Sequence, residues 1–244
     1  MKQGYRDWPI DQSGAMYTEK LAHAHTFGLA GRNYYAHSRN PPYWAPADGA
    51  IDALLVRHSV GVLLQEIDAR LKREGLKLSL FDAWRPRAVQ AYFHDVWMPH
   101  ELRRRRPDLS EDEIKTEVLR YWAAPTIDPM RPAPHATGGA VDLTIVWEDG
   151  EPLYMGSLFD DVTALAGTDR FERDQNEPSF SHDEARANRR LLYWLMIEAG
   201  FSNHPDEWWH YSYGDQMWAI HMGKPAALYG LAEPEPGLIE ADNP

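Results

Sequence analysis

The stretch from Pro134 to Thr144, PHATGGAVDLT, constrains the fold of this chain more than any other part of its sequence. Its paired glycines break a helix, so His135 and Asp142 cannot share one helical face. The residues after the glycines predict a strand, in which Asp142 points to one side and the apolar Val141 and Leu143 point to the other. We expect the apolar side to pack on a core, while Asp142 faces a cleft beside His135. A surface turn with an incidental histidine and a capping aspartate would explain the stretch as well, if it is taken alone.

Length, charge and composition restrict the class of protein. A chain of 244 residues with 43% hydrophobic residues predicts a single globular domain over 1–244. The formal net charge of −12 disfavours nucleic acid as a partner, and the lack of cysteine excludes disulfides and thiolate metal sites. The sequence contains no apolar run typical of a signal peptide or a membrane span, so we expect a cytoplasmic protein with no membrane partner.

Hydrophobic periodicity and capping signals predict the order of the elements. We expect helices over 55–71 and 87–104 and a strand over 76–81. A capping box at Ser110–Glu113 predicts the start of a helix over 111–122. A second capping box, at Ser181–Glu184, predicts the start of a helix that ends at Gly200. Three segments lack such a period: an irregular N-terminal segment (1–48), a loop (166–181) and a loose tail (231–244). The insert over 101–131, which includes the helix over 111–122, could cover the cleft as a lid.

The sequence DAWRP places Arg85 between a predicted strand and a predicted helix. Pro86 disfavours a helical backbone at Arg85 and is itself common in the first turn of a helix. A guanidinium at such a rigid junction can reach into a cleft. An ion pair with Asp82 is the alternative role, and it would be purely structural.

The aromatic sequence EWWHYSY, from Glu207 to Tyr213, predicts a strand. In a regular strand Glu207 and His210 would point to opposite faces. Both can face one site only if Glu207 lies in the loop or bulge that enters the strand, after Pro205. An edge strand with a surface glutamate and a packed histidine is the alternative.

Taken together, these residues suit one chemistry. His135, Asp142 and His210 offer two imidazoles and a carboxylate, and catalytic zinc typically has three such protein ligands and an open fourth position. Glu207 could act as general base for a water at that position, and Arg85 could stabilise an oxyanion. The helix-borne H-E-x-x-H arrangement is excluded, because His100-Glu101 is followed by Leu-Arg-Arg.

Four motifs in this order, DAWRP, HATGGAVDLT, MGSLFD and EWWH, resemble the zinc D-alanyl-D-alanine dipeptidases of vancomycin-resistance type, within a wider group of zinc D,D-peptidases. The resemblance covers about residues 50–215. It implies a compact α+β domain in which a small antiparallel sheet, flanked by helices, carries one Zn²⁺ per chain. A departure is Ala133, where resistance-type members often have a serine whose hydroxyl could bind substrate.

The resemblance also implies a role for each site residue. The zinc ligands would be His135, Asp142 and His210; the general base would be Glu207; Arg85 would stabilise the oxyanion; and Asp160, in MGSLFD, would hold the free amino group of a dipeptide. The expected activity is hydrolysis of D-Ala-D-Ala or a related short D,D-dipeptide by attack of a zinc-bound water. The alternatives are a D,D-carboxypeptidase acting on peptidoglycan stems and a zinc-binding module without turnover. The sequence leaves the oligomeric state open.

Overall fold

A five-stranded sheet forms the centre of the protein, which a computed structural model describes for residues 4–173 and 179–239. The strands in chain order are β1 (Leu21–His23), β2 (Ala30–Gly31), β3 (Leu55–Arg57), β4 (Leu76–Asp82), β5 (Ala140–Trp147), β6 (Ser202–Asn203) and β7 (His210–Ser212). The central sheet has the order β2-β4-β5-β7-β6, and all its pairs are antiparallel except β2 with β4. Strands β1 and β3 form a separate antiparallel pair. The predicted α+β class with a small sheet is confirmed.

Helices surround the sheet. They are α1 (His58–Leu71), α2 (Arg87–Ala91), α3 (Met98–Arg105), α4 (Glu111–Tyr121), α5 (Arg170–Arg173), α6 (Phe180–Glu198), α7 (Gln216–His221) and α8 (Pro236–Ile239). A π-helical segment, Tyr92–Trp97, joins α2 to α3, so the predicted helix over 87–104 is one continuous helical stretch. The capping box at Ser110 and Glu113 is also confirmed, because each residue's side chain accepts a hydrogen bond from the other's backbone N–H. None of the described helices is long and apolar enough to cross a membrane.

Two predicted helix starts are wrong. Leu55 lies in β3, and α1 begins only at His58, because the preceding residues are extended and pair with β1. Helix α6 begins at Phe180, with Ser179 as its N-cap: the Ser179 hydroxyl accepts a hydrogen bond from the backbone N–H of His182 at 3.2 Å. The predicted cap at Ser181 is therefore two residues late, although the helix does end at the expected glycine, which has φ 92°.

Three segments without an apolar period are more ordered than predicted. Residues 4–48 contain short 3₁₀ turns and the strands β1 and β2. The loop over 166–181 contains α5, while its residues 174–178 lie outside the described part of the chain. The tail is not loose up to residue 239, because Trp84 Nε1 donates to Ala232 O at 3.0 Å and Lys20 pairs with Glu235 at 2.6 Å. The predicted tail residues 240–244 lie outside the described residues.

One face of the sheet packs on the main core. Alternate residues of β4 and β5 lie on this face and share one buried cluster with residues of α1; they are Leu76, Leu78, Leu80, Val141, Leu143 and Ile145. Burial of each such side chain contributes roughly 1.5–3 kcal/mol to folding. The alternation predicted for β5 is thereby confirmed, and the opposite face is left to carry polar residues.

Candidate active site

A bulge in β4 brings two aspartates together on the polar face of the sheet. Leu80 pairs with Leu143, but the next pair is Asp82 with Asp142, so β4 has one extra residue, Phe81. Without this bulge Asp82 would share the core face with Leu80, because side chains alternate along a strand. Asp142 in turn pairs with His210 across β5 and β7. The register therefore places Asp82, Asp142 and His210 in one row.

The turn before β5 adds His135 to this row. Its Gly138 has φ 72°, and a Cβ at Gly139 would collide with the carbonyl oxygen of Tyr213, so the sequence requires glycines here. His135 Nδ1 donates to Ala83 O at 2.7 Å, so Nε2 is the nitrogen directed at the row of strand residues, 3.3 Å from Asp142 Oδ2.

Three of these residues form a group that could hold a metal ion: His135, Asp142 and His210. His135 Nε2 lies 3.1 Å from His210 Nδ1 and 3.3 Å from Asp142 Oδ2, and His210 Nδ1 lies 3.0 Å from Asp142 Oδ1. Ligands about 2.0–2.1 Å from a tetrahedral ion would be roughly 3.4 Å apart, so small shifts would suffice. The second nitrogen of His210 faces Ser212 Oγ at 3.3 Å, which leaves Nδ1 as the metal-binding atom.

The charge states of these ligands also suit a cation. Burial acts to raise the pKa of Asp142, but the neighbouring His135 and His210 bring it below its ordinary value, so the carboxylate is ionised. Burial lowers the pKa of His210, which favours the neutral imidazole that binds metals.

Glu207 lies in the turn that enters β7, as the sequence predicted it must. The backbone N–H of His210 donates to Glu207 O at 3.3 Å, and Glu207 N donates to His204 O at 3.1 Å. The carboxylate lies 3.8 Å from His210 Nδ1 and is only 7% exposed. Burial, and then the charges of Asp142 and Asp160, raise its pKa well above the ordinary value. A carboxyl group with a raised pKa holds a proton more readily than an ordinary one, which suits a group that accepts a proton and then returns it.

Arg85 makes the predicted pair with Asp82 and also reaches the site. Its Nε donates to Asp82 at 2.7 Å, Nη1 to Gln90 at 2.9 Å, and Nη2 to Asp142 at 3.2 Å and to the Tyr35 hydroxyl at 3.4 Å. Burial acts to lower the pKa of this guanidinium, but Tyr35, Asp82 and Asp142 raise it above its ordinary value. The side chain is therefore a fixed, charged group at the edge of the metal-ligand group.

Asp160 lines the same pocket from the loop after β5. Its Oδ2 accepts hydrogen bonds from Tyr35 at 2.8 Å and Tyr43 at 2.7 Å, and its backbone has a left-handed φ of 56°. Burial, and then the charge of Asp142, raise its pKa to about 7, although the tyrosines and Arg85 oppose the shift. A buried carboxyl group of this kind is suited to a cationic partner.

The structure adds residues to the site that the sequence interpretation did not assign to it. Tyr43 lies in the segment thought irregular, and Gln90 positions Arg85. His204 lines the pocket beside Glu207, and Trp122 lines it just after α4, within the segment predicted as a lid. His204 stands three residues before Glu207 and Gln90 stands five residues after Arg85, so closeness in sequence to a predicted site residue was the signal for these two. Tyr43 and Trp122 come from distant parts of the chain, and closure of a lid stays a prediction.

The fold and the site together define a class of protein. One pocket in an α+β domain holds a buried His–Asp–His group, a carboxyl group of raised pKa and a fixed guanidinium. This combination is typical of metallohydrolases.

Comparison with known proteins identifies the family within that class. A sequence profile of the M15 peptidases, described as D-ala-D-ala dipeptidase, matches residues 47–225. The chain belongs to this family of zinc metallopeptidases.

Named relatives agree with the profile. The D-alanyl-D-alanine dipeptidase of Synechocystis is 35% identical over 175 residues, which cover 65% of this chain and 70% of that protein. The dipeptidase of the same name from Enterococcus faecalis is 28% identical over 174 residues, covering 70% of this chain and 79% of that protein. The crystal structure of the vancomycin resistance D,D-pentapeptidase VanY with Zn(II) shares 14% identity and a TM-score of 0.42, over 73% of this chain and 87% of that one.

Proposed function

We propose that this protein is a zinc-dependent dipeptidase that hydrolyses D-Ala-D-Ala or a related short D,D-dipeptide. The observation that carries the proposal is a single pocket lined by the metal-ligand group, Glu207, Arg85 and Asp160. The names of the relatives support the choice of substrate. Location in the cytoplasm stays a prediction.

The donor set supports zinc as the metal, at one ion per chain. His135, Asp142 and His210 provide two nitrogens and one oxygen, and the hydrogen bonds of both imidazoles leave the inward nitrogens free. Zinc bound there would supply Lewis acidity to a water molecule and to the scissile carbonyl.

Glu207 and Arg85 would perform the protein's part of the hydrolysis. Glu207 takes a proton from the attacking water and passes it to the nitrogen of the leaving D-amino acid, for which its raised pKa is suited. Arg85 stabilises the negative charge that develops on the carbonyl oxygen. Its bonds to Asp82 and Gln90 hold the guanidinium in place, so little reorganisation is needed during the reaction.

Asp160 would select for a free amino terminus. Its buried carboxylate needs a cation, and the ammonium of a dipeptide provides one. An acylated substrate lacks that charge and would leave the carboxylate buried without a cationic partner, so it should bind several kcal/mol more weakly, on the order of 3–5 if the pair is fully buried. This selection favours a dipeptidase over a D,D-carboxypeptidase, whose substrates are acylated at that position. A zinc-binding module without turnover would not need Glu207.

The first prediction tests this proposal with a pair of substrates. The zinc-loaded protein should cleave free D-Ala-D-Ala and reject N-acetyl-D-Ala-D-Ala. Asp160→Ala should lower kcat/KM for the free dipeptide and so narrow the difference in kcat/KM between the two substrates. The measurement is kcat/KM for both substrates with both proteins, with L-Ala-L-Ala to test stereochemistry. Efficient cleavage of the acetylated peptide by the unmodified protein would favour the carboxypeptidase, and no cleavage of any dipeptide would refute the proposal.

A further inference from the structure

His204 is a buried side chain of the pocket to which the proposed mechanism gives no task. It is 1% exposed and lines the same pocket as the metal-ligand group. Its backbone N–H donates to His210 O at 3.1 Å, and the two imidazole rings lie 5.8 Å apart, nearly perpendicular. The ring therefore lies beside the metal-ligand group, at the edge of the site.

The hydrogen bonds of His204 fix where its proton lies. The backbone N–H of Asp206 donates to His204 Nδ1 at 3.2 Å, so Nδ1 is an acceptor and carries no hydrogen in this arrangement. The neutral ring must then carry its hydrogen on Nε2. Within the described part of the chain, Nε2 is buried and has no hydrogen-bond partner. Buried donors are nearly always paired in native proteins, so an unpaired one on a side chain that lines a pocket points to a ligand.

The order of the strands places His204 and Asp160 on opposite sides of the metal-ligand group. Along the row of strands, Arg85 follows β4 at one side, and His204 follows the edge strand β6 at the other. Asp160 belongs to the Arg85 side, because both contact the hydroxyl of Tyr35. A dipeptide with its ammonium at Asp160 and its peptide bond at the metal-ligand group therefore extends its carboxylate toward His204.

We propose that His204 binds the C-terminal carboxylate of the dipeptide through its Nε2–H. The inference rests on the proposed function and deepens it, because it adds a second determinant of substrate length. Hydrogen bonds from a neutral donor to a carboxylate are charge-assisted and are strong in a buried site. With Asp160 at one end and His204 at the other, the pocket would recognise both termini of its substrate.

The test compares the dipeptide acid with its C-terminal amide. In His204→Phe the donor is lost, and KM for the acid should rise roughly 10- to 100-fold while kcat changes much less. The amide has no carboxylate to lose, so its kcat/KM should stay nearly constant and the acid-to-amide ratio should fall. His204→Gln can place an N–H near the position of Nε2 and should restore most of the ratio, whereas the shorter His204→Asn should not.

His182→Phe is the matched control, because His182 also has a buried, unpaired ring nitrogen but does not line the pocket. That variant should leave the ratio unchanged. Zinc content should be equal in all four variants. If His204→Phe does not fold, the test is the difference in acid-to-amide ratio between His204→Gln and His204→Asn. If the unmodified enzyme cleaves the dipeptide and all His204 variants keep its acid-to-amide ratio, the role of His204 is refuted while the proposed function stands. No cleavage by the unmodified enzyme would refute both.

Discussion

At the scale of single residues, the site holds more buried acidic groups than its own cation can pair with. Four buried acids surround it, Asp82, Asp142, Asp160 and Glu207, against one guanidinium, Arg85. Burial raises the pKa of Asp82, Asp160 and Glu207, and only Asp142, between two histidines, has a lowered pKa. A divalent ion and a cationic substrate end would each offset part of this imbalance, which supports both parts of the proposed chemistry.

Glu207→Gln separates the proposed proton transfer from metal binding. The amide has nearly the same shape as the carboxyl group but cannot accept the proton, so we predict that kcat falls roughly 10²–10⁴-fold while zinc content stays the same. Steady-state kinetics and metal analysis on one preparation measure both. Normal turnover by this variant would mean that another group is the base.

Asp160→Asn should raise stability while it weakens activity. The pKa of Asp160 is about 7 in the folded protein, against 3.8 for the ordinary group, so the unfolded state ionises first as pH rises. The folded state is therefore destabilised progressively between about pH 4 and pH 7, by up to about 4 kcal/mol, and the loss persists above pH 7. In metal-free protein, denaturant unfolding should show the variant more stable than the parent at pH 8 and similar at pH 4. Equal stability at both pH values would contradict the raised pKa.

At the scale of elements, local patterns predicted the strand and helix interiors better than their ends. The glycine pair and the alternation in β5 correctly placed Asp142 opposite the core face. The bulge at Phe81 left no signal in the sequence, yet it decides that Asp82 joins the site. The early start predicted for α1 has a similar cause, because Leu55 fits a strand and a helix equally well and only pairing with β1 decides between them.

Contacts between distant segments were the part of the site that the sequence could not predict. Tyr35 and Tyr43 come from a segment without periodicity, and they meet Asp160 across more than a hundred residues of chain. No local pattern indicates such a contact. The grouping of His135, Asp142 and His210 was predictable because their motifs are specific, whereas the two tyrosines that hold Asp160 in place became visible only in the fold.

The N-terminal segment should therefore influence substrate binding. Tyr43→Phe removes one of the two hydroxyls that donate a hydrogen bond to Asp160, while the ring can keep its packing against Phe93 and Trp97. We predict a rise in KM of about 5- to 20-fold with kcat nearly unchanged, because one hydrogen bond to a charged group that binds substrate is lost. Tyr154→Phe, at an exposed position, is the control. An unchanged KM would show that Tyr35 alone holds the carboxylate.

At the scale of the whole molecule, both ends of the described chain fold back on the domain. Arg6 donates to Ala124 O at 2.8 Å, and Gln216 donates to Trp8 O, so the N-terminal turn is tied to the segment after α4 and to α7. The C-terminal part contacts Trp84, next to Arg85. Both ends thus help to hold together the one domain that carries the site, so ligand binding there should be coupled to global stability.

The last prediction follows from this coupling. An ion that binds only the folded state stabilises it by an amount that grows with the logarithm of the ion concentration divided by Kd, and at 100–1,000 times Kd this amounts to about 3–4 kcal/mol. For a chain of 244 residues we therefore expect zinc to raise Tm by about 5–15 °C over the chelator-treated protein. His135→Ala and His210→Ala should lose both the rise and the stoichiometric zinc, because two ligands do not hold a tetrahedral site. His100→Ala, at an exposed histidine, should keep both. Calorimetry measures the rise in Tm, and metal analysis measures the zinc content. If the two ligand variants showed the same zinc-induced rise in Tm as the unmodified protein, the stabilising zinc would have to bind elsewhere on the protein.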